Sequence, residues 1–154
     1  MKTSISISIL LVMLLSGCYR TVQISLSQSG MAPCPDSPNC VSSLSENTRH
    51  KIEPFPLHIS AGQSLHTLRQ IIASMERTEI LWMSDRSLLS TFTTKMGFVD
   101  DAQFLIDENR RVIHVRSASR DGYWDLGVNR RRIETMRAEY QRRIQDHQDR
   151  ERKR

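Results

Sequence analysis

The sequence predicts a single small α+β domain, an antiparallel β-meander of about four to five strands with two helices packed on one face. Three observations lead to this fold class. An amphipathic helical pattern opens the folded region, short β-type runs follow it, and a second helical pattern closes it. The connections between the β-type runs are short, and short connections favour antiparallel hairpins over parallel crossovers.

The first helix has both a start signal and an apolar face. Ser60 followed by Gln63 forms a capping-box pattern, which is typical of a helix N-terminus. Apolar residues then recur at helical spacing, and these are Leu65, Leu68, Ile72 and Met75. The preceding segment 51–59 contains Pro54 and Pro56, so we expect an extended edge segment there and not a central strand.

The strands of the meander are predicted from short β-type runs. These runs are Glu79–Met83, Leu88–Thr94, Phe98–Ile106 and Arg111–Ser117. In the last run, Ile113 and Val115 alternate with His114 and Arg116, which indicates one buried face and one polar face. Asn109 lies in the turn before that run, and we expect it to adopt the left-handed conformation.

The second helix is predicted to begin near Asn129, a residue type that favours the N-cap. Val128 before it would pack on Ile133 as a hydrophobic staple. The apolar stripe of this helix is Ile133, Met136, Tyr140 and Ile144. The folded domain is therefore predicted over residues 32–145, and residues 146–154 form a basic charged tail that we interpret first as a solvated helix end.

The first residues of the chain have the layout of a secretory signal. Lys2 supplies a positive charge, an apolar run follows, and small residues lead directly into Cys18. This stretch resembles a bacterial lipobox, which implies cleavage of residues 1–17 and attachment of lipid to Cys18. The alternatives are an ordinary cleaved signal and a retained anchor, but a membrane-spanning helix needs roughly 20 apolar residues and this run is shorter.

The segment after the cleavage site indicates where the protein resides. Residues 18–31 are rich in serine and glutamine, which is typical of a flexible tether. Tyr19 follows the cysteine, whereas the retention signal of enteric inner-membrane lipoproteins has aspartate there. That resemblance implies a place in the cell envelope, on the outer membrane and facing the periplasm if the host is Gram-negative.

The charge of the chain bears on its partners. It contains 22 Lys and Arg against 17 Asp and Glu, and many of the basic residues lie near the C-terminus. Such a basic balance attracts nucleic acid, anionic lipid or acidic proteins. Because an exported protein rarely meets nucleic acid, we expect no nucleic-acid partner and consider membrane phosphates the more plausible polyanion.

Two cysteines remain once Cys18 carries lipid. Cys34 and Cys40 form an even pair in an exported chain, which favours a disulfide. The alternatives are a redox pair and half of a metal site. Thiol-exchange proteins prefer two residues between their cysteines, and zinc needs further ligands for which no motif follows. We therefore predict a structural disulfide, with no metal and no cofactor.

Four blocks of the chain resemble a known family. They span residues 32–43 (Ala-Pro-Cys-Pro-Asp-Ser-Pro-Asn-Cys-Val-Ser-Ser), 97–101, 113–120 and 125–130. Their content and order are similar to those of the family called domain of unknown function 1499, from about Met31 to the final helix. The family is found in bacteria and plastids, often with an export or lipid-attachment signal, and the resemblance implies no particular activity.

The same blocks contain more polar residues than a core requires. The candidate ligand-binding residues are Asp100, Asp101, His114, Arg116, Ser117, Ser119, Arg120, Asp125, Asn129 and Arg130. A helix N-terminus beside arginines favours phosphate or carboxylate. We therefore expect a binding module for an anionic envelope ligand or an envelope protein near Arg116, Arg120 and Arg130. The alternative is that these groups form ion pairs and a helix cap that hold the loop.

A second function class is a small hydrolase. His114 would act as the base for a nearby serine, with Asp100 or Asp101 orienting the imidazole, as a catalytic triad requires. The chain contains no Gly-x-Ser-x-Gly motif to present such a serine, and a lone strand histidine is more often structural. We therefore rank catalysis below binding.

Overall fold

The structure of the chain, a computed structural model, describes residues 30–154. The predicted signal peptide, the lipid-attachment residue Cys18 and most of the predicted tether lie outside the described residues. All of the predicted α+β domain lies within them, and the structure confirms that fold class.

One six-stranded antiparallel sheet and two helices make up the domain. The sheet order is β1-β6-β5-β4-β3, and β2 pairs with β6 outside this path. In chain order the elements are β1 (Cys40–Ser42), β2 (Phe55–Pro56), α1 (Ala61–Ala73), β3 (Thr78–Met83), β4 (Ser87–Thr93), β5 (Val99–Asp107), β6 (Val112–Ser119) and α2 (Val128–Arg152). The four longer strands β3 to β6 are the predicted meander.

Two very short strands border the meander. Both β1 and β2 pair with β6 on the side away from β5. Strand β2 includes Pro56, and an edge position suits proline because it has no N–H group to donate to a neighbouring strand. Strand β1 falls inside the motif with the two cysteines, where no alternation of apolar and polar residues signals a strand.

Both helices cover the same face of the sheet, as predicted. Alternate residues of β5 point to that face, and Phe104 is fully buried there. The ring of Phe55 packs edge-on against Phe104 at 5.8 Å and against Tyr140 of α2 at 5.6 Å, measured between ring centroids. Leu68 of α1 belongs to the same cluster. These contacts join the sheet edge, the sheet centre and both helices in one core.

Helix α1 begins as the sequence indicates. The Ser60 hydroxyl oxygen accepts a hydrogen bond from the backbone N–H of Gln63 at 3.3 Å, which confirms the predicted cap. In the turn between β5 and β6, the prediction for Asn109 is wrong, because Arg111 is the residue with positive φ (56°).

Helix α2 begins differently from the prediction. Its N-cap is Gly127, at φ 75°, and Asn129 is a buried residue of the first turn, not the cap. The carboxylate of Asp125 accepts hydrogen bonds from the backbone N–H groups of Gly127 and Asn129, each at 2.8 Å. Since Leu126 and Gly127 both have positive φ, the chain turns back and brings this carboxylate over the helix N-terminus.

The second helix also passes through the predicted tail boundary and continues to Arg152. It is strongly charged along its length. Neither helix within residues 30–154 has a stretch that is both long and apolar enough to cross a bilayer.

The structure confirms the Cys34–Cys40 disulfide. The bond closes a loop of a few residues, so we expect its reduction to lower the free energy of unfolding by about 2 kcal/mol. Urea denaturation with and without a reductant measures the change. A Cys34→Ser, Cys40→Ser double variant is the control, because reductant should not alter its midpoint. An unchanged midpoint for the wild-type chain would contradict a stabilising role.

Candidate functional site

The four family-like blocks meet at one end of the sheet. At this end β1 begins, β5 begins and β6 ends, and the 120–127 loop leads into α2. Asp100 and Ser119 are register neighbours on β5 and β6. The carbonyl of Asn39 accepts a hydrogen bond from the backbone N–H of Ser119 at 3.0 Å, and the Asn39 side chain donates to the carbonyl of Gly122 at 2.6 Å. Residues far apart in sequence therefore build this end together.

Asn129 is the centre of this arrangement. Its side-chain nitrogen lies 2.9 Å from a carboxylate oxygen of Asp125, 3.0 Å from the Ser119 hydroxyl and 3.3 Å from the Asn39 carbonyl. Its side-chain oxygen accepts hydrogen bonds from Ser117 and, at 3.1 Å, from Arg132. Because Asn129 is fully buried, these contacts replace the hydrogen bonds that water would make with its amide group.

A buried ion pair adjoins the asparagine. A carboxylate oxygen of Asp100 accepts a hydrogen bond from Arg132 of α2 at 2.6 Å, and its other oxygen accepts one from the Ser119 hydroxyl. The side chains of Asp100 and Arg132 are 1% and 9% exposed. The guanidinium carbon of Arg132 also lies 4.7 Å from the centre of the Phe92 ring. This pair joins the first turn of α2 to the central strands.

Asp101 belongs to the opposite face of the sheet. Successive strand residues point to opposite faces, so Asp101 points away from Asp100. Its two carboxylate oxygens accept hydrogen bonds from Arg120 at 3.0 and 2.8 Å, and these bonds raise the pKa of the Arg120 guanidinium. The structure therefore does not bring Asp100 and Asp101 into one site.

The other two candidate arginines form hydrogen bonds with other parts of the chain. Arg130 donates hydrogen bonds to the carbonyls of Lys51 and Arg49, at 2.8 and 2.9 Å. Arg116 is half-buried on the outer face, donates to the carbonyl of Pro33 at 3.4 Å, and burial lowers its pKa. These arginines therefore hold separate parts of the chain and do not converge on one anion.

His114 also lies on the outer face, away from Asp100. Its Nδ1 is 3.1 Å from the hydroxyl oxygen of Ser43, and its Nε2 is 3.7 Å from a carboxylate oxygen of Asp107. The Ser43 oxygen also accepts a hydrogen bond from the backbone N–H of Val115 at 2.9 Å, which holds it against β6. Because His114 is only 8% exposed, it is poorly placed to meet a substrate. This geometry does not favour the hydrolase.

A cleft of about 170 Å³ lies beside the asparagine network. Asp100, Ser119 and Asp125 contribute polar atoms to its lining. Its apolar lining includes Phe98 and Met96 from the β4–β5 turn, with Trp124 and Leu126 from the loop before α2. We call these four side chains, with the adjacent and exposed Tyr123, the apolar rim.

The apolar rim is strongly exposed. Met96 is 79% exposed, Trp124 66% and Leu126 61%. Leu126 also adopts φ 54°, a left-handed conformation that costs about 1–3 kcal/mol for a residue of this type. Exposed apolar groups gathered in one patch are typical of an interaction site. No predicted motif included this rim, although an aromatic pair at 123–124 within a loop was an available signal.

Within the described part of the chain, no group of three or more His, Cys, Asp or Glu side chains is placed to hold a metal ion. The polar groups of the site are instead bonded to one another.

Fold and site together define a small α+β domain with a polar network and an apolar rim at one end of its sheet. A family model described as "Protein of unknown function (DUF1499)" matches residues 30–140, so the chain belongs to the DUF1499 family. This match confirms the resemblance seen in the sequence. No curated protein and no solved structure matches the chain.

The two neighbouring aspartates provide a matched test of the network. We expect Asp100→Ala to lower the free energy of unfolding by about 3–5 kcal/mol, because it leaves Arg132 buried without its partner. Asp101→Ala removes a partly exposed pair and should cost less than about 1 kcal/mol. Urea denaturation of both variants measures the two effects, and equal losses would contradict the assignment of the two carboxylates to opposite faces.

Proposed function

We propose that the mature protein is a lipid-anchored envelope protein whose domain binds a protein partner at the cleft and its apolar rim. The observation that carries the proposal is the rim itself. Large apolar side chains are exposed to water beside the hydrogen-bonded network of Asn129, and Leu126 retains an unfavourable backbone conformation there. Strain of this kind is typical of functional surfaces.

The residues that line the cleft favour the binding of a protein segment over the binding of an anion. Its lining contains Asp100, Asp121 and Asp125, and no Lys or Arg is among its lining residues. An anionic ligand would meet carboxylates there, and Arg120 faces Asp101 instead. A complementary segment would insert apolar side chains between the aromatic groups of the rim.

The lipid anchor is supported by the sequence and by the disulfide. The signal layout ends at Cys18, and a Cys34–Cys40 bond is expected of a chain exported to an oxidising compartment. An anchor would confine the domain to a membrane surface, which raises its effective concentration toward envelope partners.

Mass spectrometry of the protein from bacterial membranes tests the anchor. We expect a chain that begins at Cys18 and carries acyl groups, with Cys18→Ala present only as an unacylated precursor. The Cys34→Ser, Cys40→Ser variant is the control and should stay acylated. In a Gram-negative host, Tyr19→Asp should move the protein from the outer-membrane to the inner-membrane fraction. An unacylated wild-type protein would contradict the anchor.

Site-specific photocrosslinking in cells tests the binding surface. A photoreactive residue at Met96 should give one discrete protein adduct, whereas the same residue at Trp82, on the edge strand β3, should give none. The crosslinked peptide of the partner should contain large apolar residues. No adduct at Met96, or the same adduct at both positions, would contradict the proposal.

A substitution at Leu126 separates binding from folding. Asn tolerates the left-handed conformation better than leucine, so Leu126→Asn should leave the free energy of unfolding equal or raise it by up to about 1 kcal/mol. The same change removes an apolar side chain from the rim and should abolish the Met96 adduct. Undiminished crosslinking in a folded Leu126→Asn protein would show that the rim is not the binding surface.

A further inference from the structure

We propose that the groove between α1 and α2 is a second binding site, specific for a phosphate-bearing ligand. The groove lies near the C-terminal end of α2, whereas the cleft adjoins its N-terminus. At a rise of 1.5 Å per residue, the two sites are about 25 Å apart along the helix. The groove is therefore independent of the cleft and of the function proposed for it.

The size and lining of the groove suit a small ligand. Its volume is about 530 Å³, within the range of roughly 300–1,000 Å³ that is usual for ligand sites. One wall comes from α1 and the other from α2, and Ile59 and the buried Ile144 add apolar surface. The polar side chains of the two walls are Gln63, His66, Thr67 and Gln70 on α1 and Arg142, Arg143, Asp146, His147 and Arg150 on α2.

The charge of the groove is positive. Three arginines and one aspartate line it, together with two histidines. Residues 128–154 contain ten Lys or Arg and five Asp or Glu, so α2 and the residues after it account for the whole formal charge of +5. A concentrated positive field of this kind attracts polyanions.

Two of the groove arginines are oriented by a carboxylate that lies outside the groove lining. Glu139, which is outside the groove lining, accepts hydrogen bonds from Arg142 at 2.8 and 2.9 Å and from Arg143 at 2.6 Å. These bonds lower the pKa of Glu139 to about 2, so the carboxylate stays charged at neutral pH. Because Arg143 uses only its Nε for this contact, both of its terminal amino groups remain available as donors.

Two further side chains of the groove also have hydrogen-bond donors to offer. Arg150 forms no ion pair within residues 30–154. On the α1 wall, the side-chain nitrogen of Gln70 lies 3.0 Å from Nε2 of His66. Since an amide nitrogen only donates, Nε2 accepts, and Nδ1 is left as the hydrogen-bond donor of the ring. Guanidinium groups and ring N–H groups on facing helices match the several oxygens of a phosphate.

In a cell envelope, the phosphate group that the groove binds can belong to a soluble phosphorylated compound or to the headgroup of an anionic lipid. The test therefore uses inorganic pyrophosphate as one probe and phosphatidylglycerol as the other. The full chain is inserted in phosphatidylcholine nanodiscs through its amino-terminal segment. Pyrophosphate is titrated by calorimetry, and phosphatidylglycerol is added to the nanodisc lipid in a second series.

Two arginines on the same helix give a matched pair of variants. Arg150→Gln should weaken pyrophosphate binding by about tenfold or more, because it removes a charge-assisted donor from the groove. Arg152→Gln removes the same charge two residues away, outside the groove lining, and should change the affinity by less than about twofold. Equal effects of the two variants would show general charge attraction and would overturn the proposal.

A steric variant tests the groove without altering its charge. A Cβ added at Gly62, in the first turn of α1, meets no atom within 4 Å, so this position has room for a side chain, and Gly62→Phe is designed to block the groove. Thermal unfolding checks that the variant is folded. Pyrophosphate binding should then be lost, and retention of wild-type affinity in the folded variant would overturn the proposal.

Chemical labelling of arginine distinguishes the two sources. Phenylglyoxal modification is followed by mass spectrometry, with Arg152 as the internal reference. Protection of Arg143 and Arg150 by pyrophosphate alone assigns the groove to a soluble phosphate. Protection by phosphatidylglycerol in the nanodisc assigns it to a lipid headgroup. No protection in either series, with no calorimetric binding at millimolar pyrophosphate, overturns the site.

Discussion

The buried contact between the first turn of α2 and the end of the sheet is the constraint on which the other features depend. The side chains of Asn129 and Arg132 are polar and buried. Burial of a polar side chain is unfavourable unless its hydrogen-bond or ion-pair partners are in place. Their partners come from β5, from β6, from the loop before the helix and from the segment before β1. A helix seated in this way cannot shift along the sheet without leaving several buried groups unpaired.

The apolar rim follows from that constraint. Asp125 must place its carboxylate over the N-terminus of α2, and the chain therefore turns sharply through Leu126 and Gly127. This turn directs the loop away from the core and leaves Trp124 and Leu126 in solvent. The network thus fixes the backbone of the loop, which under the proposed function would lower the entropic cost of binding a partner.

The two ends of α2 differ in chemistry because an arginine near the N-terminus is buried in an ion pair, whereas the charges toward the C-terminus lie on the surface. At the N-terminal end, Arg132 is neutralised by Asp100 inside the protein. Toward the C-terminal end, the charges lie on the surface beside α1, and ion pairs such as Glu139 with Arg143 orient side chains without removing the excess of positive charge. One helix therefore borders an apolar-rimmed cleft near its N-terminus and a basic groove toward its C-terminus.

Local patterns in the sequence were sufficient for much of the fold. The cap at Ser60, the stripe of α1 and the alternation in β6 each reflect interactions within a few residues, and the structure confirms them. The antiparallel pairing of β5 with β6, which places Asp100 beside Ser119, also agrees with the hairpins predicted from short connections. Strand β1 was not predicted, because three residues beside a disulfide carry no periodicity and their pairing with β6 is non-local.

The sequence by itself determined the α+β class, the family and several of the polar residues that build the site, but not Asn39 or Arg132, which were not among the candidates. Only the tertiary structure decided which face each residue occupies and which residues meet. In a strand, a shift of one position reverses the face, so Asp100 and Asp101 separate although they are adjacent. Asn129 likewise is a buried, multiply bonded residue and not a cap, because Asn39, 90 residues earlier in the chain, and Ser119, at the end of β6, lie beside it. Such contacts depend on how the chain folds back on itself, and no local pattern records them.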